Sequence, residues 1–254
     1  MAASRAVLTI VKNEPIFLPI FLRYYGQFFA EEDIYILDHG TTDGSTDGGG
    51  FRREPVDHPY VDHSWMRDTV QARQHELLQS YEIVLFCDVD EIIAPNPRKY
   101  DGLGDYIDRM TADYVNTRGV EVIHMKDSEP PIDLDRPILN QRSWWFRNYA
   151  YSKPLLSRIP LHWVPGFHYR DDGTSNQDLA LLLIHLHRMD YELCWARHRF
   201  RNRLDWNDGD IYLRSGYQNR IVADTEFERW FYNDTANVIP LVPRAIPPRW
   251  RGVV

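Results

Sequence analysis

The stretch Ile83-Val84-Leu85-Phe86-Cys87-Asp88-Val89-Asp90-Glu91 decides how the rest of this chain is read, because an apolar run ends abruptly in three carboxylates. A run this short and apolar is a strand buried on both faces, and acids crowded at its exit repel one another unless a cation sits between them. On extended backbone, residues two apart point to the same side, so Asp88 and Asp90 can both face one divalent ion. Oxygen ligands suit magnesium or manganese. The same residues could form a solvated strand-to-loop junction, so the flanking elements have to decide.

Working outward, residues 6–11 predict a first strand, 15–29 a helix starting near Pro15, and 34–37 a second strand that runs into Asp38-His39-Gly40 and a Gly-rich polar loop, 41–50. Residues 65–80 predict a helix with Ser64 as N-cap and Met66, Val70, Leu77 and Leu78 as its buried stripe. That helix returns the chain to the 83–87 strand. Strands alternating with helices predict a parallel sheet wound by right-handed crossovers, and ligands of such sheets sit beyond the carboxyl ends of the strands. Lys12, Asn13, Glu14, Asp38 and the 88–91 acids are thereby expected at one edge.

The second half predicts strands at 114–124, 144–151 and 179–186, a proline-bounded stretch at 153–169 and a helix at 191–206. Arg197, Arg199, Arg201 and Arg203 on that helix could reach diphosphate oxygens, but arginines at alternating helix positions read first as a solvated face. The proline-rich residues 239–250 read as an extended tail over the surface. His185 and His187 stand on one face at the exit of an apolar strand, with His187 the better metal ligand for being nearer the exit. Trp163 lies in the densest aromatic stretch and could stack on a sugar ring; Lys153 and Arg188 could reach phosphate oxygens.

The net charge of −8 and the lack of a basic cluster argue against nucleic acid as a partner. Only two cysteines are present, one of them inside the 83–87 strand, which predicts free thiols and a reducing compartment. No apolar run reaches the length of a membrane span, and residues 6–11 are too short for a signal-peptide core. A cytoplasmic protein is the expectation.

Three motifs carry a resemblance: V-K-N-E at 11–14, I-Y-I-L-D-H-G-T-T-D-G-S at 34–45 and V-L-F-C-D-V-D-E at 84–91. In order and spacing they resemble the family 2 type of glycosyltransferases, specifically a subgroup with D-x-D-E. The resemblance covers about the first hundred residues. It implies the GT-A fold, an α/β Rossmann-like, mostly parallel sheet with a mixed acceptor half. The expected division is a single domain over 1–254, with a nucleotide-binding half at 1–100, an acceptor half at 101–238 and a tail at 239–254. It implies a metal-dependent transfer of a sugar from a UDP- or GDP-linked donor to a small-molecule, glycan or lipid-linked acceptor, with inversion expected. By the same resemblance, Lys12, Asn13, Glu14, Asp38, Arg73 and Asp88 would contact the nucleotide. The D-x-D match implies that Asp88 and Asp90 would hold Mn2+ or Mg2+; on the strand-end reading His187 would join them, and His185 would be a weaker acceptor or phosphate contact. Asp171 or Asp172, with Glu91 as alternative, would take the acceptor's proton. His39 and the run Gly48-Gly49-Gly50 depart from the family pattern without removing a ligand.

A phosphohydrolase of the D-x-D-x-T type would carry its acids after the first strand, and a sugar nucleotidyltransferase needs a Gly-rich basic loop there; Val11-Lys12-Asn13-Glu14-Pro15 is neither. The alternative from another class is a catalytically silent GT-A domain that binds a sugar nucleotide or acts as a scaffold. The presence of both Asp88 and Asp90 argues against it.

Overall fold

The computed structural model describes residues 3–233 and 241–254. In chain order its elements are β1 (Arg5–Val11), α1 (Phe17–Tyr25), β2 (Ile34–Asp38), β3 (Arg52–Pro55), α2 (His63–Leu77), β4 (Ile83–Phe86), β5 (Glu91–Pro95), α3 (Leu103–Arg109), β6 (Tyr114–Ile123), α4 (Ile138–Gln141), β7 (Trp144–Arg147), β8 (Pro154–Ser157), β9 (Gln177–Arg188), α5 (Tyr191–Asn202), α6 (Asp208–Tyr212), α7 (Asp224–Asn233) and β10 (Arg244–Ala245). The ten strands of the described residues belong to one sheet. Its N-terminal part, in the order β3-β2-β1-β4, is parallel throughout, as strand-helix alternation requires. The remainder is mixed: β8 runs antiparallel to β4 and β6, and β9 lies parallel to β6 but antiparallel to β5.

Register levels the strand ends. Val11 pairs with Asp38 and Leu8 with Phe86, so β1, β2 and β4 release their chains at one edge. The sheet stays dry there because Ile83 to Phe86 have no solvent exposure, with α2 packed over β1 and β4. On α1, the buried Tyr25 hydroxyl donates to the Glu91 carbonyl at 3.0 Å and receives the Ile93 N–H at 3.0 Å and the Cys87 thiol at 3.2 Å. One side chain thus pins both ends of the acidic turn, satisfying backbone groups that would otherwise be orphaned.

Several expectations are corrected. Asp88 and Asp90 do not lie on extended backbone: the Glu91 N–H closes a turn onto the Asp88 carbonyl at 2.9 Å. The chain then reverses into β5, a strand hidden in sequence because it starts on an acid. Asp62, not Ser64, caps α2, accepting the Ser64 and Trp65 N–H groups at 2.9 Å each. In α2, Val70 and Leu77 are buried as expected, whereas Met66 and Leu78 are only partly covered. Residues 149–151 form a 3-10 turn instead of continuing β7. The stretch expected to be irregular contains β8, and the polar edge strand β3 lacks the apolar pattern that marks strands. Of the tail, residues 239 and 240 lie outside the described residues; beyond them β10 pairs with β7 and Trp250 is buried.

Gly119 in β6 lets the 148–151 turn approach: an added Cβ would sit 2.4 Å from the Asn148 carbonyl oxygen and 2.6 Å from the Tyr151 carbonyl carbon. Both are backbone atoms, which cannot swing aside. Gly119→Ala is expected to lower unfolding stability by about 1–3 kcal/mol, measured by urea denaturation; an unchanged midpoint would show that the turn is not held against β6.

Candidate functional site

At the edge where β1, the 88–90 turn and β9 end, a cavity of about 240 Å³ opens. Its lining includes Lys12, Glu14, Asp88, Asp90, Lys153, His168, His185, His187, Arg197 and Arg201. Pairing with β5 puts Glu91 opposite His185, and the Leu186 N–H donates to the Asp90 carbonyl at 2.8 Å. The acid turn and the histidine strand end are therefore locked together by main chain, although nearly a hundred residues separate them.

Two charge clusters follow. In the first, the Lys153 ammonium lies 2.7 Å from Asp88 and 2.6 Å from Glu91. Lys153 and Glu91 are buried, and Asp88 is about one-third exposed at 34%. Burial raises the Glu91 pKa to about 7, against the opposing pull of Lys153. For Lys153 burial works against the charge, yet Asp88 and Glu91 outweigh it and hold the ammonium above its ordinary value.

In the second cluster Arg197, from the buried side of α5, donates twice to Glu14, at 3.0 and 2.6 Å, and once to Asp90. Arg201 adds a third contact to Glu14 at 3.1 Å. Asp90 is also 3.2 Å from His187 Nδ1 and 3.5 Å from His185 Nε2. Burial alone would raise the Asp90 pKa; Arg197 and His185 reverse this and hold it well below the usual carboxylate range. His185 lies between Asp90 and Glu121, whose carboxylate is 3.2 Å from its Nδ1. Those two acids overcome the cost of burial and lift His185 to about 9.

His187 behaves oppositely. Burial pushes its pKa well down, helped by Arg197 and His198 and resisted by the negative charge of Asp90. Its Nδ1 is 2.9 Å from an Arg197 nitrogen, which can only donate, and its Nε2 is 2.8 Å from His198 Nε2, while His198 Nδ1 faces the Gln218 carbonyl at 2.8 Å. These partners assign a neutral relay in which each imidazole accepts on one nitrogen and donates on the other.

The structure gathers Lys12, Glu14, Asp88, Asp90, Lys153, His185 and His187 around the cavity, and it places the other expected residues elsewhere. Asp38 accepts from Thr41 N–H, Thr46 and Arg53 at 2.6–2.9 Å and so organises the 41–50 loop. The Asn13 side chain accepts the Thr42 N–H at 2.7 Å in the same loop. Arg73 is forked onto Glu54 at 2.8 and 2.5 Å, with a further contact to Glu76. Asp171 is exposed, and exposed Asp172 pairs with Arg170. Trp163 packs in the core with its ring N–H on the Pro154 carbonyl at 2.8 Å. Arg188, buried, lies 3.4 Å from Glu121 and donates to the Phe231 carbonyl.

Sequence reasoning passed over Glu121 and His168, and it set Arg197 and Arg201 aside as a solvated face. For Arg197 a signal existed: Cys194, Arg197 and His198 are spaced three and four apart, the spacing of one helix face, and all three are buried. Counting the arginines as a charge run concealed it.

No protein-family model and no curated protein matches the chain. Among solved structures it is similar to a mannosyltransferase from Pyrobaculum calidifontis in complex with GDP-Man and Mn2+, at 10% identity and a TM-score of 0.39, over 100% of this chain and 68% of that one. It is also similar to the galactosyltransferase LgtC in complex with donor and acceptor sugar analogues, at 18% identity and a TM-score of 0.27, over 50% of this chain and 55% of that one.

Lys153→Met would leave Asp88 and Glu91 facing each other with no buried cation between them. Loss of one partner from such a cluster is expected to destabilise by about 3–5 kcal/mol, read by denaturant unfolding. A loss within experimental error would mean that water already screens these charges.

Proposed function

We propose that the protein transfers a glycosyl group from a UDP- or GDP-linked sugar to an acceptor hydroxyl, on a GT-A type of fold. The observation that carries this reading is the meeting of Asp88, Asp90, two imidazoles and the cations Lys12, Lys153 and Arg197 around one cavity at the carboxyl ends of parallel strands. Cations suit a diphosphate leaving group, and the acid–imidazole set suits a divalent ion. At about 240 Å³ the cavity falls just below the roughly 300–1,000 Å³ common for small-molecule sites.

The donor set fits a metal ion. Ligand atoms of Asp90, His185 and His187 all lie within 4.8 Å of one another, and His185 turns its other nitrogen to Glu121, the carboxylate support usual for a ligating histidine. Asp88 falls outside that set and is paired instead with Lys153. The ligand set we propose is therefore Asp90, His185 and His187, with Mn2+ or Mg2+ as the ion. When bound, the ion supplies Lewis-acid stabilisation of charge on the diphosphate. Arg197 keeps two contacts to Glu14 once its bond to Asp90 is given up, so it can yield without losing its place.

A specific observation favours a second reading, a domain that binds a sugar nucleotide without turning it over: Arg197 already neutralises Asp90. Donor consumption with and without manganese separates the two. For the transfer reading, UDP or GDP with manganese should raise the melting temperature, and donor turnover should need the metal. No shift with either nucleotide would contradict it. Glu121→Gln, which keeps shape but removes the charge behind His185, should raise the manganese concentration for half-maximal activity about 10–100-fold. An unaltered requirement would remove His185 from the ligand set.

A further inference from the structure

The loop leading out of β8 toward β9 contains two consecutive residues in the left-handed region, Gly166 at φ +86° and Phe167 at φ +63°. Such a conformation is costly for a bulky side chain and persists only where the surroundings enforce it. Phe167 is enforced by burial, packing against Phe86 with ring centroids 4.4 Å apart and against Trp163 at 5.7 Å. The strain has one visible result. It swings His168 into the cavity wall beside Gly166 and Phe167.

His168 is fixed at one end. Its Nδ1 is 2.7 Å from the Ala150 carbonyl, an obligate acceptor, so Nδ1 carries the hydrogen and Nε2 presents a lone pair. Gly166 leaves the space for that edge of the ring, since an added Cβ would come within 3.2 Å of Cδ2 and 3.4 Å of Nε2. No hydrogen-bond partner for Nε2 occurs among the described residues. The charged and titratable groups around the ring are Lys153, Asp88 and His63, with the Tyr151 ring 6.3 Å and the Tyr169 ring 6.4 Å away.

We propose that His168 is a substrate-binding residue, a tautomer-locked acceptor for a hydroxyl of the donor's sugar. The inference rests on the glycosyl-transfer reading and deepens it. The sugar, not the phosphates, is the partner, because a lone pair repels phosphate oxygens and welcomes a hydroxyl donor. Burial, with Lys153 assisting, lowers the pKa of His168 to about 4. The imidazole therefore stays neutral through the physiological range, which suits a constant acceptor and not a proton-accepting base.

The test is calorimetric binding, with manganese, of UDP against UDP-glucose and GDP against GDP-mannose, using the full chain. Parent protein should bind the nucleotide sugar of its preferred base more tightly than the free diphosphate. His168→Ala and His168→Asn should bind the diphosphate within two-fold of parent and the nucleotide sugar about three- to ten-fold more weakly, the scale of one neutral hydrogen bond. His168→Gln, which can place its amide oxygen near the lost nitrogen, should recover most of the difference. The sugar-dependent increment should stay flat from pH 5.5 to 8. A folded Ala or Asn variant with undiminished sugar affinity overturns the assignment, as does equal loss for the free diphosphate or an increment that titrates near pH 6.5. Parent protein that binds diphosphates with no gain from the sugar overturns it alone, whereas parent protein that binds no nucleotide overturns the glycosyl-transfer reading with it.

Discussion

The site depends on one arrangement: the Asp90 carboxylate, buried at the exit of the central strand and held among Arg197, His185 and His187. A carboxylate taken out of water is stable only when paired and hydrogen-bonded. Glu14 extends the arrangement by holding the far side of Arg197, and Lys153 serves Asp88 and Glu91 in the same way. No acid at this edge relies on solvent alone. Displacing any one charge strands its neighbour unless another cation takes its place.

Such an arrangement has to be imposed by main chain and packing, because the charges gain little net stability from one another. The imposition is visible. Tyr25 pins the acid turn from below, the Leu186 N–H ties it to β9, and the register of β5 on β9 sets Glu91 against His185. On the other side the neutral relay from His187 through His198 to Gln218 keeps the imidazoles from acquiring a charge that Arg197 would oppose. Preorganised groups of this kind stabilise developing charge without having to reorient during reaction.

The parallel half of the fold was legible because its signals are local. The apolar runs of β1, β2 and β4 and the polar loops between them mark a parallel sheet and place Lys12, Glu14, Asp88 and Asp90 at one edge. His187 was reachable too, as a histidine at the end of an apolar strand. Glu121 was not, since no local pattern of acids or histidines marks it, and the one signal for Arg197, a helix face shared with Cys194 and His198, was masked by the neighbouring arginines. Asp38 and Arg73 show the converse. Their sequence context implied nucleotide contacts, yet their charges are taken by Arg53 and by Glu54, both on the edge strand β3, whose polar sequence Arg52-Arg53-Glu54-Pro55 hides it from pattern reading.

The central claim is that the strand exits form a donor site whose divalent ion is held by Asp90, His185 and His187. Anomalous diffraction at the manganese edge, from crystals grown with Mn2+ and either UDP or GDP, tests it most directly. The account predicts one peak bonded to Asp90 Oδ2, His185 Nε2 and His187 Nδ1, with the diphosphate beside it and Arg197 withdrawn onto Glu14. A peak at Asp88 away from both histidines, or bound nucleotide with Arg197 still on Asp90 and no peak, would contradict it.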